Sequence, residues 1–353
     1  MNDFDRFATY YKIIGANNYG KYPYKLGLNA LADNNEEFDK EPICGPGGLY
    51  FCSIEYIFEY LDYGDKLCIL TIPDDAQVIK VKNKYKADKI YISEMMEMNY
   101  DAIKYLVEHG ASVTADDNYA IRWAAYCGNL EMIKYLVEHS ADIAADNNYA
   151  ILRASYDGHL EIVKYLAEYG ADITTNNNCA IRRAARNGHL EVVKYLAKCG
   201  ADITACNNYA ICWAAYGGHL DMVQYLVENK ADIFVHNNCA IRSAAYNGHL
   251  EVIKYLIKYG ADVTACNNFV ISQALANGHL DVVRYLVENE TSITISDIAV
   301  SSAAYNGYLD IVQYLVENGA DVTARDNLAI RQAARNGHLE VVKYLAEHGA
   351  VLS

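Results

Sequence analysis

Gly-His-Leu recurs at Gly158, Gly188, Gly218, Gly248, Gly278 and Gly337, with Gly128-Asn-Leu and Gly307-Tyr-Leu as variants. Six of the seven intervals between these glycines are 30 residues, and the one from Gly278 to Gly307 is 29. A fixed period of this length makes each copy one supersecondary unit. Such a unit is too small to bury its apolar side alone, so neighbours must stack into a solenoid. Eight units run from about residue 118 to the end. A degenerate copy at 88–117 keeps only the second half, Tyr100-Asp-Ala-Ile-Lys-Tyr-Leu-Val-Glu-His-Gly110, and reads as an N-terminal cap.

Each copy carries two helix signatures. Asn148, Asn178, Asn208, Asn238 and Asn268 stand where an N-cap side chain accepts a backbone N–H, ahead of a short stripe such as Ala180, Ile181, Ala184 and Ala185. We call this helix A; the positive φ of a glycine at 188 closes it. Helix B follows with Leu190, Val193, Leu196 and Ala197 on one face, and Gly200 ends it. Glu191 and Lys194 form a favourable i, i+3 pair that recurs at 131/134, 161/164, 251/254 and 340/343, which marks a solvated outer face.

Charge narrows the partners. Lys and Arg total 30 against 45 Asp and Glu, a net −15, so no grip on nucleic acid or on an anionic membrane is expected. The opening Met1-Asn-Asp-Phe-Asp-Arg lacks the basic and apolar regions of a secretory signal, and no run approaches the roughly 18 apolar residues of a membrane span. The ten cysteines form no CxxC pair, which fits a reducing compartment. The expectation is an intracellular, unsecreted monomer.

The pattern Ala-Ala-x-x-Gly-His-Leu-Glu-x-Val-Lys-Tyr-Leu-x-x-x-Gly-Ala-Asp resembles the ankyrin repeat, over about three quarters of the chain. The departure is informative. The family unit has about 33 residues, and its Thr-Pro-Leu-His here reads Tyr119-Ala-Ile-Arg122 or a variant. The resemblance implies that the family's projecting hairpin finger is blunted, with Asn-Asn making a tight turn. The lost Thr-Pro also accounts for the four prolines all lying at or before Pro73.

The expected fold is mainly α: an ankyrin solenoid of about nine 30-residue units after a small α+β domain, divided as 1–87, a capping copy at 88–117, and eight repeats over 118–353. Within the first part, Ile54 to Tyr63 reads as a helix, and Leu67 to Ile72 and Gln77 to Val81 as strands. Gly45-Pro-Gly-Gly-Leu-Tyr-Phe51, Leu61-Asp-Tyr-Gly64, Ile72-Pro-Asp-Asp-Ala76 and Lys86-Ala-Asp-Lys-Ile90 together are similar to the N-terminal region of ankyrin-repeat proteins of giant amoeba-infecting DNA viruses, the mimivirus-like group. That resemblance implies a viral protein acting on its host from the host cytoplasm, and supplies no activity for the N-terminal region. In several viral ankyrin families a C-terminal F-box reaches host ubiquitin-ligase machinery; the chain stops at Ser353 after the last helix B, so that role is not expected.

Candidate chemistry is sparse. His159, His189, His219, His249, His279 and His338 occupy one repeated turn position, where a structural imidazole makes more sense than six catalytic copies. Cys206, His236 and Cys266 share a loop position, yet successive copies should lie roughly 10 Å apart, against the 2.0–2.3 Å that zinc requires. The first histidine is His109, so Cys44, Cys52 and Cys68 have no histidine partner within the N-terminal domain for nucleophilic chemistry. Gly45-Pro-Gly-Gly48 lacks the Lys and Ser/Thr of a phosphate loop and reads as a tight turn, and Tyr10, Tyr11, Tyr19, Tyr22 and Tyr24 read as packing. No catalytic, cofactor-binding or metal residue is assigned, and the chain is not expected to be an enzyme.

One asymmetry points to binding. Eight of the eleven arginines fall in the helix-A windows, which contain no lysine. Helix A is expected to line a concave groove, and Arg with aromatics is the composition of interface hot spots. The candidate partner-binding residues are Arg153, Arg183, Arg186 and Arg335 with Trp123, Tyr126, Tyr156, Trp213, Tyr216, Tyr246 and Tyr305. Arg122, Arg182, Arg242 and Arg331 replace the family's structural histidine, and bonding to loops is their competing reading. The expected function is an adaptor gripping a protein with an acidic or extended surface. The alternatives are an N-terminal enzyme or effector targeted by the repeats, and an expanded paralogue, suggested by cysteines recurring two repeats apart (Cys179/Cys239, Cys206/Cys266).

Overall fold

The computed structural model of the chain describes residues 4–15, 22–31, 37–41, 44, 47–289 and 297–352, with backbone only at 265–268 and 297–298. It divides into two compact units, one formed by Met1–Ala154 with His159–Asp172, the other by Ser155–Gly158 with Ile173–Ser353.

The first unit opens with strands β1 (Tyr10–Ile14), β2 (Gly27–Ala30), β3 (Leu49–Phe51), β4 (Lys66–Thr71), β5 (Val78–Val81), β6 (Lys84–Ala87) and β7 (Lys89–Glu97). They form an antiparallel sheet in the order β1-β4-β7-β2 and a second in the order β3-β6-β5. Paired backbone bonds between Tyr11 and Cys52, both 2.9 Å, join the two. Leu67, Cys68, Ile69 and Leu70 are all buried, as a central strand covered on both faces requires. Ile54–Tyr63 is helical as expected, but wound as a 3₁₀ helix that buries Ile57, Phe58 and Leu61. The sheet also takes in β7, within the stretch that the 30-residue period assigns to the capping copy. Ile90 and Ile92 point inward and Tyr91 outward, the alternation of a strand. The α-helices of the repeat array therefore start at α1 (Tyr100–Glu108), where the Asn99 side chain accepts the Ala102 N–H at 3.1 Å.

Aromatic rings fill the core here. Tyr10 lies 5.0 Å from Phe51 and 5.5 Å from Tyr85, edge-on to both. Tyr10, Tyr11 and Tyr22 are buried, in keeping with a packing role; Tyr19 lies outside the described residues. Gly48 has no room for a Cβ because the stem of the fully buried Lys86 runs against it. Lys86 donates to Asp39 Oδ2 at 3.1 Å and to the Glu41 carbonyl at 2.8 Å. Gly45 and Pro46 of the same glycine-rich stretch lie outside the described residues.

Burial pushes the phenols of Tyr10 and Tyr11 up to about 12. The folded chain therefore keeps protons that an unfolded one releases near pH 10. Their contribution to stability is complete below about pH 10 and is lost as pH rises from there toward 12. In an alkaline titration, a fraction of the phenolate absorbance should appear only together with loss of the near-ultraviolet circular dichroism. Phenolate appearing in full while that dichroism persists would contradict the burial.

The repeats of the first unit are built from α2 (Ala115–Tyr126), α3 (Leu130–Glu138), α4 (Ala145–Asp157, whose last residues belong to the second unit) and α5 (Leu160–Glu168). Those of the second are α6 (Thr175–Arg186), α7 (Leu190–Lys198), α8 (Ala205–Tyr216), α9 (Leu220–Glu228), α10 (Val235–Tyr246), α11 (Leu250–Lys258), α12 (Ala265–Ala276), α13 (Leu280–Asn289), α14 (Asp297–Asn306), α15 (Leu309–Glu317), α16 (Ala324–Arg335) and α17 (Leu339–Glu347). From α2 onward, even numbers are helix A and odd numbers helix B. Ala184, Ala185, Ala214 and Ala215 are fully buried and let α8 lie directly between α6 and α10, whereas Ala334 in the last helix A, α16, is exposed.

The shortened fingers at the start of α2, α4, α6, α8, α10 and α16 are runs of left-handed residues. Asn176, Asn177 and Asn178 have φ of 51°, 57° and 58°, and Cys206, Asn207 and Asn208 repeat the conformation. Asparagine is among the few non-glycine residues that tolerate it. The asparagine at the third position is not the N-cap expected from sequence. Its Oδ1 accepts the N–H of the Asp in the following repeat: Asn178 from Asp202 at 2.9 Å, Asn208 from Asp232 at 3.0 Å, and in the first unit Asn118 from Asp142 at 2.7 Å. A left-handed turn aims this side chain across to the next repeat, away from its own helix. The Asn268 side chain lies outside the described residues.

The turn histidines are structural. The Nε2–H of His219 donates to the Arg186 carbonyl at 3.0 Å, that of His249 to Tyr216 at 2.9 Å, and that of His279 to Tyr246 at 2.9 Å. On the outer face, four of the i, i+3 Glu–Lys pairs close at 2.6–2.8 Å. They are solvated and contribute a few tenths of a kcal/mol each. Among the described residues no helix is long and apolar enough to cross a membrane.

Candidate functional site

Residues three apart on helix A share a face, so Arg183 and Arg186 on α6 lie together, as do Trp213 and Tyr216 on α8. The structure brings four of the predicted residues into one layered row. The Arg186 guanidinium sits 4.3 Å over the Trp213 ring, Trp213 meets Tyr216 edge-on at 5.7 Å, and Tyr216 stacks on Tyr246 of α10 at 6.4 Å and 19°. Cation–π and ring contacts of this kind hold side chains at a surface in set orientations. Tyr216 and Tyr246 remain 39% and 46% exposed, so the row is ordered and still open to solvent. The turn histidines reinforce it, because their acceptors are the carbonyls of Arg186, Tyr216 and Tyr246 themselves.

Not every predicted residue joins the row. Tyr305 on α14 and Arg335 on α16 occupy the equivalent helix-A position and are exposed, but the row runs only from Arg186 to Tyr246. Tyr156, at the end of α4, is partly exposed, and its carbonyl accepts from the Asn187 side chain at 2.6 Å and from His189 at 3.0 Å. Arg183 is half-buried beside the row.

Trp123, Tyr126 and Arg153 come together in the first unit, with the Arg153 guanidinium 4.5 Å over the Tyr126 ring. They line a cleft of about 470 Å³ that also involves Leu61, Asp62, Gly64, Tyr119, Arg122 and Tyr149. The Tyr119 hydroxyl donates to Asp62 Oδ2 across it. Sequence reasoning missed Asp62, Tyr119 and Tyr149. The Leu61–Gly64 turn stood out only through resemblance, and no local pattern reports which helix it touches.

Three of the helix-A arginines bond to loops. Arg122 donates to the Asp116 carbonyl at 2.7 Å, Arg182 to that of Asn176 at 2.8 Å and Arg331 to that of Arg325 at 3.2 Å. Each acceptor opens the left-handed run of the arginine's own repeat.

In the N-terminal sheets, burial pushes the Cys52 thiol up and that of Cys68 up to about 11, so neither is a ready thiolate. Burial also pushes the Lys12 amine down to about 8, while its Nζ donates to the Tyr50 carbonyl at 2.9 Å. The space beside these groups is about 50 Å³, room for water rather than a substrate. Among the described residues no three His, Cys, Asp or Glu converge on a point that could hold a metal. Cys206 Sγ faces the Asn177 carbonyl at 3.9 Å, His236 stands edge-on to Tyr209, and the Cys266 side chain lies outside the described residues.

The family model for ankyrin repeats in three copies matches residues 144–207, 181–267, 211–297 and 271–353, and that for ankyrin repeats in many copies matches 95–137. The chain belongs to the ankyrin-repeat family. It is similar to an uncharacterised protein of Acanthamoeba polyphaga mimivirus, 32% identical over 118 residues, 31% of this chain and 83% of that protein. It is similar also to two putative ankyrin repeat proteins of the same virus. One is 33% identical over 126 residues, 33% of this chain and 20% of that protein; the other is 29% identical over 130 residues, 35% and 63% respectively. The chain thus spans less than two thirds of the length of either. Ankyrin repeats are a protein–protein interaction module, so the exposed, histidine-braced row on helix A is the natural place to seek a protein partner.

Proposed function

We propose that this ankyrin-repeat chain is a non-enzymatic scaffold that grips a partner protein through the helix-A face, in the cytoplasm of a host cell and as a monomer. The observation that carries the reading is the ordered row of Arg186, Trp213, Tyr216 and Tyr246, with Arg183 beside it. Aromatics and arginine held in fixed rotamers lose little entropy on binding, which is why they dominate interface energetics. Tyr156, Tyr305 and Arg335 extend the same face, and Trp123, Tyr126 and Arg153 supply its counterpart in the first unit. A partner offering acidic or extended segments suits guanidiniums in a chain of net charge −15. The N-terminal sheets support a binding role over an enzymatic one, since their buried thiols are protonated and the space beside Lys12 is water-sized.

A photo-crosslinking amino acid placed at Tyr216 tests the face directly. Tyr259, 47% exposed at the end of helix B, serves as the matched control. In host lysate the Tyr216 position should give discrete adducts and the Tyr259 position none. Adducts from Tyr259 alone would overturn the assignment of the face.

A further inference from the structure

The period of the array fixes which side chains meet across successive helices A. Arg122 of α2 lies over Tyr149 of α4 at 5.8 Å, and Arg242 of α10 lies over Phe269 of α12 at 5.1 Å. In both cases a residue faces the one 27 positions later. The same relation sets Cys212 of α8 against Cys239 of α10, and from α2 to α12 this is the one place where it joins two sulfurs. The two helices pack directly on each other, with Ala214, Ala215, Ala244 and Ala245 fully buried. Both cysteines are free thiols; Cys212 is buried and Cys239 half-buried. One sulfur is sheltered, and the other is open to small solutes.

The surroundings divide the pair into two roles. Cys239 Sγ lies 3.7 Å from Ser243 Oγ, one turn further along α10. Hydrogen bonding with Cys212 is the main influence holding the Cys239 thiol below its ordinary range, and Ser243 and Arg242 act in the same direction against the effect of burial. Cys212 moves the other way, pushed up by its bond to Cys239 and by burial. A nucleophilic, half-buried sulfur thus stands beside a protonated one, the arrangement of a thiol that meets an oxidant and a thiol that resolves the product. In α2, α6 and α16 the residue at the Cys212 position is an arginine that donates to its own loop. Helix α8 gives up that anchor for a sulfur.

We propose that Cys212 and Cys239 form a peroxide-sensitive modification site, in which Cys239 is oxidised first and Cys212 then closes a disulfide between α8 and α10. The Cys239 thiolate attacks one oxygen of hydrogen peroxide, the O–O bond breaks, and the departing hydroxide takes up the proton that the thiol had released. A sulfenic acid and one water result. The Cys212 sulfur next attacks the Cys239 sulfur; the S–S bond forms, the S–O bond breaks, and the hydroxyl leaves as water with the Cys212 proton. Two thiols are oxidised to one disulfide, and one peroxide is reduced to two waters. The cross-link ties together two successive repeats of the second unit, and so reinforces one of the nearest-neighbour interfaces on which such an array depends. It requires no partner protein.

The test treats the full chain with equimolar hydrogen peroxide, alkylates the remaining thiols and maps every cysteine by tandem mass spectrometry. The parent chain should yield peptides linked through Cys212 and Cys239, and dithiothreitol should restore both thiols. Cys212→Ser keeps a hydrogen-bond donor beside Cys239 and removes the resolving sulfur. That variant should lose the link and leave Cys239 as a sulfenic acid that dimedone traps. Cys179 is the internal control, since it occupies the same place on α6 with Leu152, not a cysteine, at the facing position. Dimedone should trap Cys239 in the serine variant at least ~10-fold faster than Cys179. No link in the parent chain, a link through another pair of cysteines, or equal trapping of Cys179 and Cys239 each overturns the proposal.

Discussion

Replacing Gly218 with valine should lower the stability of the second unit by about 3 kcal/mol, from strain of a left-handed backbone together with overpacking. Gly218 has φ +73°, and a Cβ there would overlap the His249 imidazole. That ring donates to the Tyr216 carbonyl at 2.9 Å. A larger side chain must therefore expel the histidine, unbrace the end of α8 and hold a left-handed conformation at once. Gly200→Ala separates these causes. Gly200 has φ +99° with nothing near its absent Cβ, so only backbone strain of about 1 kcal/mol is expected. Urea unfolding of both variants measures the difference. Stability in a repeat array is a sum of nearest-neighbour interfaces, so the Gly218 variant should also broaden or split the transition, whereas Gly200→Ala should shift it intact. Equal losses in the two variants would show that the histidine contact contributes nothing.

Much of this fold is legible in the sequence because repetition averages out local ambiguity. One Gly-His-Leu is a turn; six in register define where each helix stops and mark the imidazoles as structural, while the carbonyls of the preceding repeat that they reach are seen only in the structure. The Ala-Ala pairs likewise report close helix packing, and those of α2, α6, α8, α10 and α14 are buried, while Ala334 in the last helix A is exposed. What escaped has physical causes. Asparagine is favoured both at N-caps and in left-handed turns, so Asn178 and Asn208 could not reveal that they bond across to the next repeat. The strand Lys89–Glu97 was overrun by the period, which extrapolates backward through a segment whose own alternation is strand-like. The cleft was out of reach because Asp62 and Tyr119 are 57 positions apart, and nothing in either segment encodes the other. The row from Arg186 to Tyr246 was legible as composition, through arginine without lysine in helix A. Its continuity, and its stop short of Tyr305 and Arg335, depend on ring orientations that only coordinates supply.

Partner recognition by helix A of the second unit should depend on Arg183 and Arg186, and charge reversal at both is the decisive experiment. Arg186 is exposed and stacked on Trp213, and Arg183 lies half-buried beside it. Neither belongs to the buried alanine seam that holds α6 to α8, so Arg183→Glu with Arg186→Glu should leave the far-ultraviolet circular dichroism and the urea midpoint close to those of the parent chain. The variant loses the guanidinium over the indole and places two carboxylates where an acidic partner must approach. Interface residues of this kind contribute about 2 kcal/mol or more, so capture of the crosslinked partner should fall by roughly 30-fold or more. The expected result is a folded protein that no longer captures this partner. A folded double variant that captures it as well as the parent would contradict it.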